Sequence, residues 1–216
     1  MSEVDRQQLR QRWDALWTRL NVIPNRAPSI EPLIAAYDEP ARAYHNLHHI
    51  MQCLRALDEL RDLCHDPDAV ELAIWYHDAV YDPTRHDNEE RSAGIAAEDL
   101  RRAVLPQEKI NAVIDLIHAT KHTHSPITPD AEILVDIDLS ILGQDAETFD
   151  NYERAIRQEY AHVDDDAFRK GRSAILQRFL DRPAIYATPA MRSRYEEPAR
   201  QNLRRSLLNL SGRKDL

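Results

Sequence analysis

Glycine is scarce in this chain: 216 residues contain four. Aromatic residues make up only 6%, while Leu, Ala, Glu and Arg recur throughout, a bias that favours helix over sheet. The expected fold class is all-α. The two cysteines, Cys53 and Cys64, lack CxxC spacing and fall on predicted helix faces. Reduced core thiols are therefore expected rather than a disulfide or a zinc knuckle. No excess of positive charge exists: the formal net charge of −9 argues against a general nucleic-acid scaffold, since phosphate backbones are bound by basic faces. A local basic pocket is still compatible with it. No run of about 18 apolar residues could span a bilayer, and no signal peptide is visible. A cytoplasmic protein without a membrane partner is the expectation. Repeats, low-complexity tracts and linkers are also missing, so residues 1–216 read as one domain with a C-terminal helical extension, long enough for a sizeable core.

What is present is helical periodicity. Leu9, Trp13, Leu16, Trp17 and Leu20 recur at three- and four-residue intervals, predicting an amphipathic helix over about 10–20. Ser29 is placed to cap a short helix through Tyr37. A third helix carries Ile50, Cys53, Leu54, Leu57 and Leu60 on one side. The central helix is predicted from about Asp68 to Tyr81, and Asp82 to Asp87 reads as a polar loop. Further helices are expected over about 88–103, from Pro106 to Thr120, and from an Asp130 cap to Gly143. Three more follow over about 146–161, 165–180 and 189–208.

The chain is organised around Ala73-Ile74-Trp75-Tyr76-His77-Asp78-Ala79-Val80-Tyr81. An adjacent imidazole and carboxylate in so apolar a segment are costly to bury without a partner, and a divalent cation is the natural one. His65-Asp66 and His86-Asp87 lie in polar turns and read as solvated, and His48 and His162 read as ordinary helix residues. His45 and His49, spaced i, i+4, are expected to share a helix face, so that one binds metal while the other reaches over a substrate. Asp136 and Asp138 sit in Leu134-Val135-Asp136-Ile137-Asp138-Leu139-Ser140, whose apolar neighbours turn at least one of them inward. Histidine, His-Asp and Asp from three inner helices make a mixed nitrogen and oxygen site suited to Mn, Mg, Fe, Ni or Zn.

His49, His77-Asp78 and a distal Asp resemble the H…HD…D signature of the HD superfamily of metal-dependent phosphohydrolases. The phrases Tyr44-His45-Asn46-Leu47-His48-His49-Ile50, Trp75 to Pro83, Asp87-Asn88-Glu89-Glu90-Arg91-Ser92-Ala93 and Asp138-Leu139-Ser140-Ile141-Leu142-Gly143 resemble an uncharacterised bacterial branch of that superfamily. The resemblance implies a single-domain HD-type helical bundle with His49, His77, Asp78 and Asp138 as metal ligands. Similarity to the Tyr-His-Asn-x-x-His pattern of cyclic-nucleotide phosphodiesterases implies that His45 donates a proton to the leaving oxygen. Their Ala-Asp-Leu-Ser segment favours Asp138 over Asp136. Their HDxxH histidine is replaced here by Tyr81, which weighs against a second metal held in the same way.

The chemistry so implied is cleavage of a small-molecule phosphoester by a metal-activated water, with His45 and Asp78 as catalytic groups. Two alternatives are a di-iron oxygenase, in which His118, His122 or His124 would be ligands, and a regulatory module that holds metal or nucleotide without turnover. His118 and His122 are equally readable as helix-end residues near the C-terminal dipole. Asn88, Glu89 and Ser92 read either as neighbours of a metal-bound water, Glu89 acting as base, or as a helix start. Lys121, Arg42 and Arg85 are candidate phosphate anchors, with a surface role the simpler reading. The amphipathic ends permit a homodimer.

Overall fold

The fold is given by a computed structural model that describes residues 1–123 and 126–212. His124 lies outside the described residues. The described chain is all-helical, with ten α-helices and no strand among those residues. It divides into two compact units, Met1–Val135 and Asp136–Leu216. None of its helices is long and apolar enough to cross a membrane.

The first unit contains α1 (Glu3–Arg19), α2 (Glu31–Tyr37), α3 (Leu47–Leu60), α4 (Pro67–Tyr76), α5 (Asn88–Arg102), α6 (Gln107–Ala119) and most of α7 (Pro129–Asp138). Its axis is α4. Asp66 accepts the N–H of Ala69 and Pro67 occupies the first turn, both good helix-start chemistry. Every residue from Ala69 to Tyr76 is buried, and α4 packs against α3, α5 and α6. Each fully buried Leu, Ile or Val there contributes roughly 1.5–3 kcal/mol of apolar transfer. Trp13 brings α1 onto this axis, standing edge-on to Trp17 and Trp75 with centroids 5.4 Å apart in both pairs.

One polar residue of α4 is buried without weakening the fold. The carboxylate of Glu71, 1% exposed, accepts from Arg12 at 2.8 Å, Arg19 at 2.7 Å and Arg61 at 2.9 Å. Helix α1 begins earlier than its apolar pattern suggests, because Ser2 and Asp5 form a reciprocal capping box. The expected Ser29 cap is corrected: the cap residue of α2 is Ile30, without a side-chain cap bond, and Ser29, one residue earlier, accepts the N–H of Glu31. Asp130 likewise does not cap α7. Its two carboxylate oxygens instead accept the N–H groups of His65 and Asp66, and Thr128 accepts that of Ala131 at the start of α7.

The second unit contains a 3-10 turn, Leu139–Gly143, then α8 (Ala146–Glu159), α9 (Asp165–Leu180) and α10 (Pro189–Leu210). The expected helix to Gly143 thus stops at Asp138 and tightens into the 3-10 turn. Helix α10 packs on that turn so closely that a Cβ on Gly143 would meet Cβ of Tyr195 at 2.6 Å and its carbonyl oxygen at 2.8 Å. Only glycine fits there.

Candidate metal centre

Asn46 starts α3: its side chain accepts the N–H of His48 from an extended cap residue. His49 consequently lies in the first turn of the helix and is buried, 3% exposed. His45 precedes the cap, so the expectation that it shares a helix face with His49 is corrected. The two rings are nevertheless neighbours, with centroids 6.2 Å apart. The His45 ring is stacked on Tyr81 at 4.0 Å, and Tyr44 lies 4.8 Å from His49.

The central helix also ends sooner than its apolar run suggests. It stops at Tyr76, with His77 as its C-cap. Beyond that point the backbone groups are claimed from outside the helix. Arg42 donates to the carbonyls of Asp78 and Ala79, while Val80 N–H donates to Ser92 Oγ and Asp82 N–H to Asn88 Oδ1. Ser92 and Asn88 are therefore turn fasteners here. The early stop places the His77 and Asp78 side chains at the C-terminal end of α4.

His77 Nδ1 lies 3.0 Å from the carbonyl oxygen of Ile74. A carbonyl can only accept, so this nitrogen carries the proton and, in neutral imidazole, Nε2 keeps its lone pair. That Nε2 faces His49 Nε2 at 3.2 Å and Asp78 Oδ2 at 3.1 Å. His49 Nε2 is 3.8 Å from the same carboxylate oxygen. Two ring nitrogens and a carboxylate oxygen converge on one small volume, and a cation among them would offset the cost of burying them. Nitrogen and oxygen donors about 2.1 Å from one ion are separated by about 3.0 Å at right angles and about 3.4 Å at the tetrahedral angle. The His77 distances match that scale.

His49 and His77 belong to a group of side chains able to hold a metal ion, a group that does not include Asp78. Asp138 ends α7 in the second unit, and Asp136 is committed to the fold. Its buried carboxylate accepts from Ala187 N–H at 2.8 Å and from Thr188 N–H and Oγ1 at 2.7 Å each, which fastens the start of α10. Burial raises the Asp78 carboxyl's pKa, and positive charge on the imidazoles of His77, His45 and His49, when they are protonated, outweighs it and holds the group well below the usual carboxylate range.

Other candidates are placed elsewhere. His65, His86, His48 and His162 are exposed, as is His118. His122 adopts left-handed backbone at φ 55°. Neither His118 nor His122 belongs to the metal-ligating group found among the described residues. Glu89 is half-buried. Lys121 pairs with Glu90 and Arg85 with Asp87. Arg42 departs from its expected surface role: it is buried, 6% exposed, and bonded to backbone carbonyls. Both Arg42 and Glu71 escape sequence reasoning because their partners are distant in the chain, although Arg42 does stand directly beside the Tyr44-His45-Asn46 motif. Neither family models, nor curated proteins, nor solved structures yield a match to this chain.

Proposed function

We propose that the chain is a metal-dependent phosphohydrolase of HD type acting on a small-molecule phosphoester. The observation that carries this reading is the convergence of His49 Nε2, His77 Nε2 and Asp78 Oδ2. In the proposal these three groups, with Asp138, hold one divalent ion. Such an ion, when bound, supplies a water of lowered pKa and polarises a phosphoryl oxygen.

The chain's own groups supply the rest. His77 is fixed in the tautomer that presents Nε2 by its bond to Ile74. Asp78, ionised, can hold a water proton at Oδ2 while a phosphoryl group is attacked. His45, in its protonated form, would give a ring proton to the departing oxygen. Stacking on Tyr81 restricts its ring to one plane, and such positioning is most of what phosphoryl transfer asks of a protein. The di-iron alternative needs further histidine ligands; His118 and His122 are not in the group that holds His49 and His77 among the described residues, and His124 lies outside those residues.

The test is a phosphoester panel, nucleotides included, run with each of Mn, Mg, Fe, Ni and Zn on protein purified without a chelating tag. Turnover that is lost in both His77→Ala and His45→Ala supports the proposal. Turnover that persists in His77→Ala, or intact metal binding with no turnover across the panel, contradicts it.

A further inference from the structure

We propose that Arg42 is a positioning residue for the metal centre, a latch that holds the segment carrying His45 against the segment carrying His77 and Asp78. This rests on the metal reading above and adds to it a residue that touches no ligand atom. The Arg42 side chain is 2% exposed. Its NH1 donates to the carbonyl of Asp78 at 2.5 Å and that of His45 at 3.4 Å, and NH2 donates to Ala79 at 3.1 Å. Its Nε donates to Glu39 at 3.1 Å. The guanidinium carbon lies 5.3 Å from the Tyr37 ring centroid and 5.8 Å from that of Tyr81, the ring on which His45 is stacked.

Two consequences follow from these bonds. Four of the five guanidinium N–H groups are committed within the chain, so Arg42 is poorly placed to anchor a phosphate. The same fork also joins two backbone stretches that no regular secondary structure connects, one on each side of the site. Lysine carries the charge but lacks the planar fork, so it cannot bridge all three carbonyls. Groups that orient metal ligands from outside typically change metal affinity 10–100-fold when removed.

The test reads Co(II) binding, with no substrate present, through its visible d–d absorption and its affinity. Wild type, Arg42→Ala, Arg42→Lys and Glu39→Ala are compared, with circular dichroism to confirm folding. Expected are binding by wild type and by Glu39→Ala, about 10- to 100-fold weaker binding with an altered band in both Arg42 variants, and recovery of Arg42→Ala by millimolar guanidinium. Should Arg42→Ala fail to fold, Arg42→Lys carries the test alone. Wild-type affinity and band shape in a folded Arg42 variant would overturn the latch and leave the metal site standing. Absence of Co(II) binding in wild type would overturn the metal site and the latch with it.

Discussion

The Nε2 atoms of His49 and His77 face each other at 3.2 Å, with neither imidazole more than 3% exposed. Two imidazole nitrogens arranged in this way can share a proton or a metal ion, and the two competitors can be separated by pH. Metal binding requires both rings neutral, so protons displace the ion as pH falls. Isothermal titration with Zn(II) or Mn(II) at a series of pH values should therefore show affinity rising with pH. A slope near zero would mean that the imidazoles are not ligands.

Asp136 lies two residues before Asp138 but serves the fold. Its carboxylate accepts three hydrogen bonds from Ala187 and Thr188. Asp136→Asn puts an NH2 group where an N–H donor now points and removes the charge that strengthens these bonds. A loss of about 2–3 kcal/mol is expected in urea unfolding, with the metal affinity of the folded fraction retained. Loss of metal without loss of stability would reverse the assignments of Asp136 and Asp138.

Glu71 makes a parallel prediction in the first unit. Neutralising this buried carboxylate takes one partner from each of three guanidinium groups, which keep Asp58 (Arg12) and Asp68 (Arg19 and Arg61). Arg12, Arg19 and Arg61 each retain 22–38% side-chain exposure, and solvent softens the penalty. Glu71→Gln should cost about 2 kcal/mol in chemical denaturation, with a smaller cost at high salt. An unchanged midpoint would show that the network contributes nothing measurable.

The helices were legible wherever periodicity and caps coincide. Helices α8, α9 and α10 follow the apolar spacing closely because Asp145, Asp164 and Thr188 cap them with their own side chains. The pairing of His49 with His77 was also within reach of the sequence, since imidazoles in apolar surroundings need a partner. The early stop of α4 was not, because it depends on Arg42, Ser92 and Asn88 reaching in from elsewhere. Asp136 and Asp138 have nearly identical local surroundings in sequence. They differ through Ala187 and Thr188, some fifty residues away, which local pattern cannot register. The three arginines around Glu71 arrive from α1 and from the turn after α3, and Glu71 by itself reads as an ordinary helix residue.

The central claim is that His49 and His77 are joined by a divalent ion. Its most direct test is elemental analysis of protein prepared without a chelating tag and dialysed against trace-metal buffer, with wild type, His49→Ala and His77→Ala compared at equal concentration. About one ion per chain in wild type, and none retained by either folded variant, is the predicted result. A metal-free wild type that cannot be loaded with any of the five ions, or a His77→Ala protein that retains the full complement, would contradict the account.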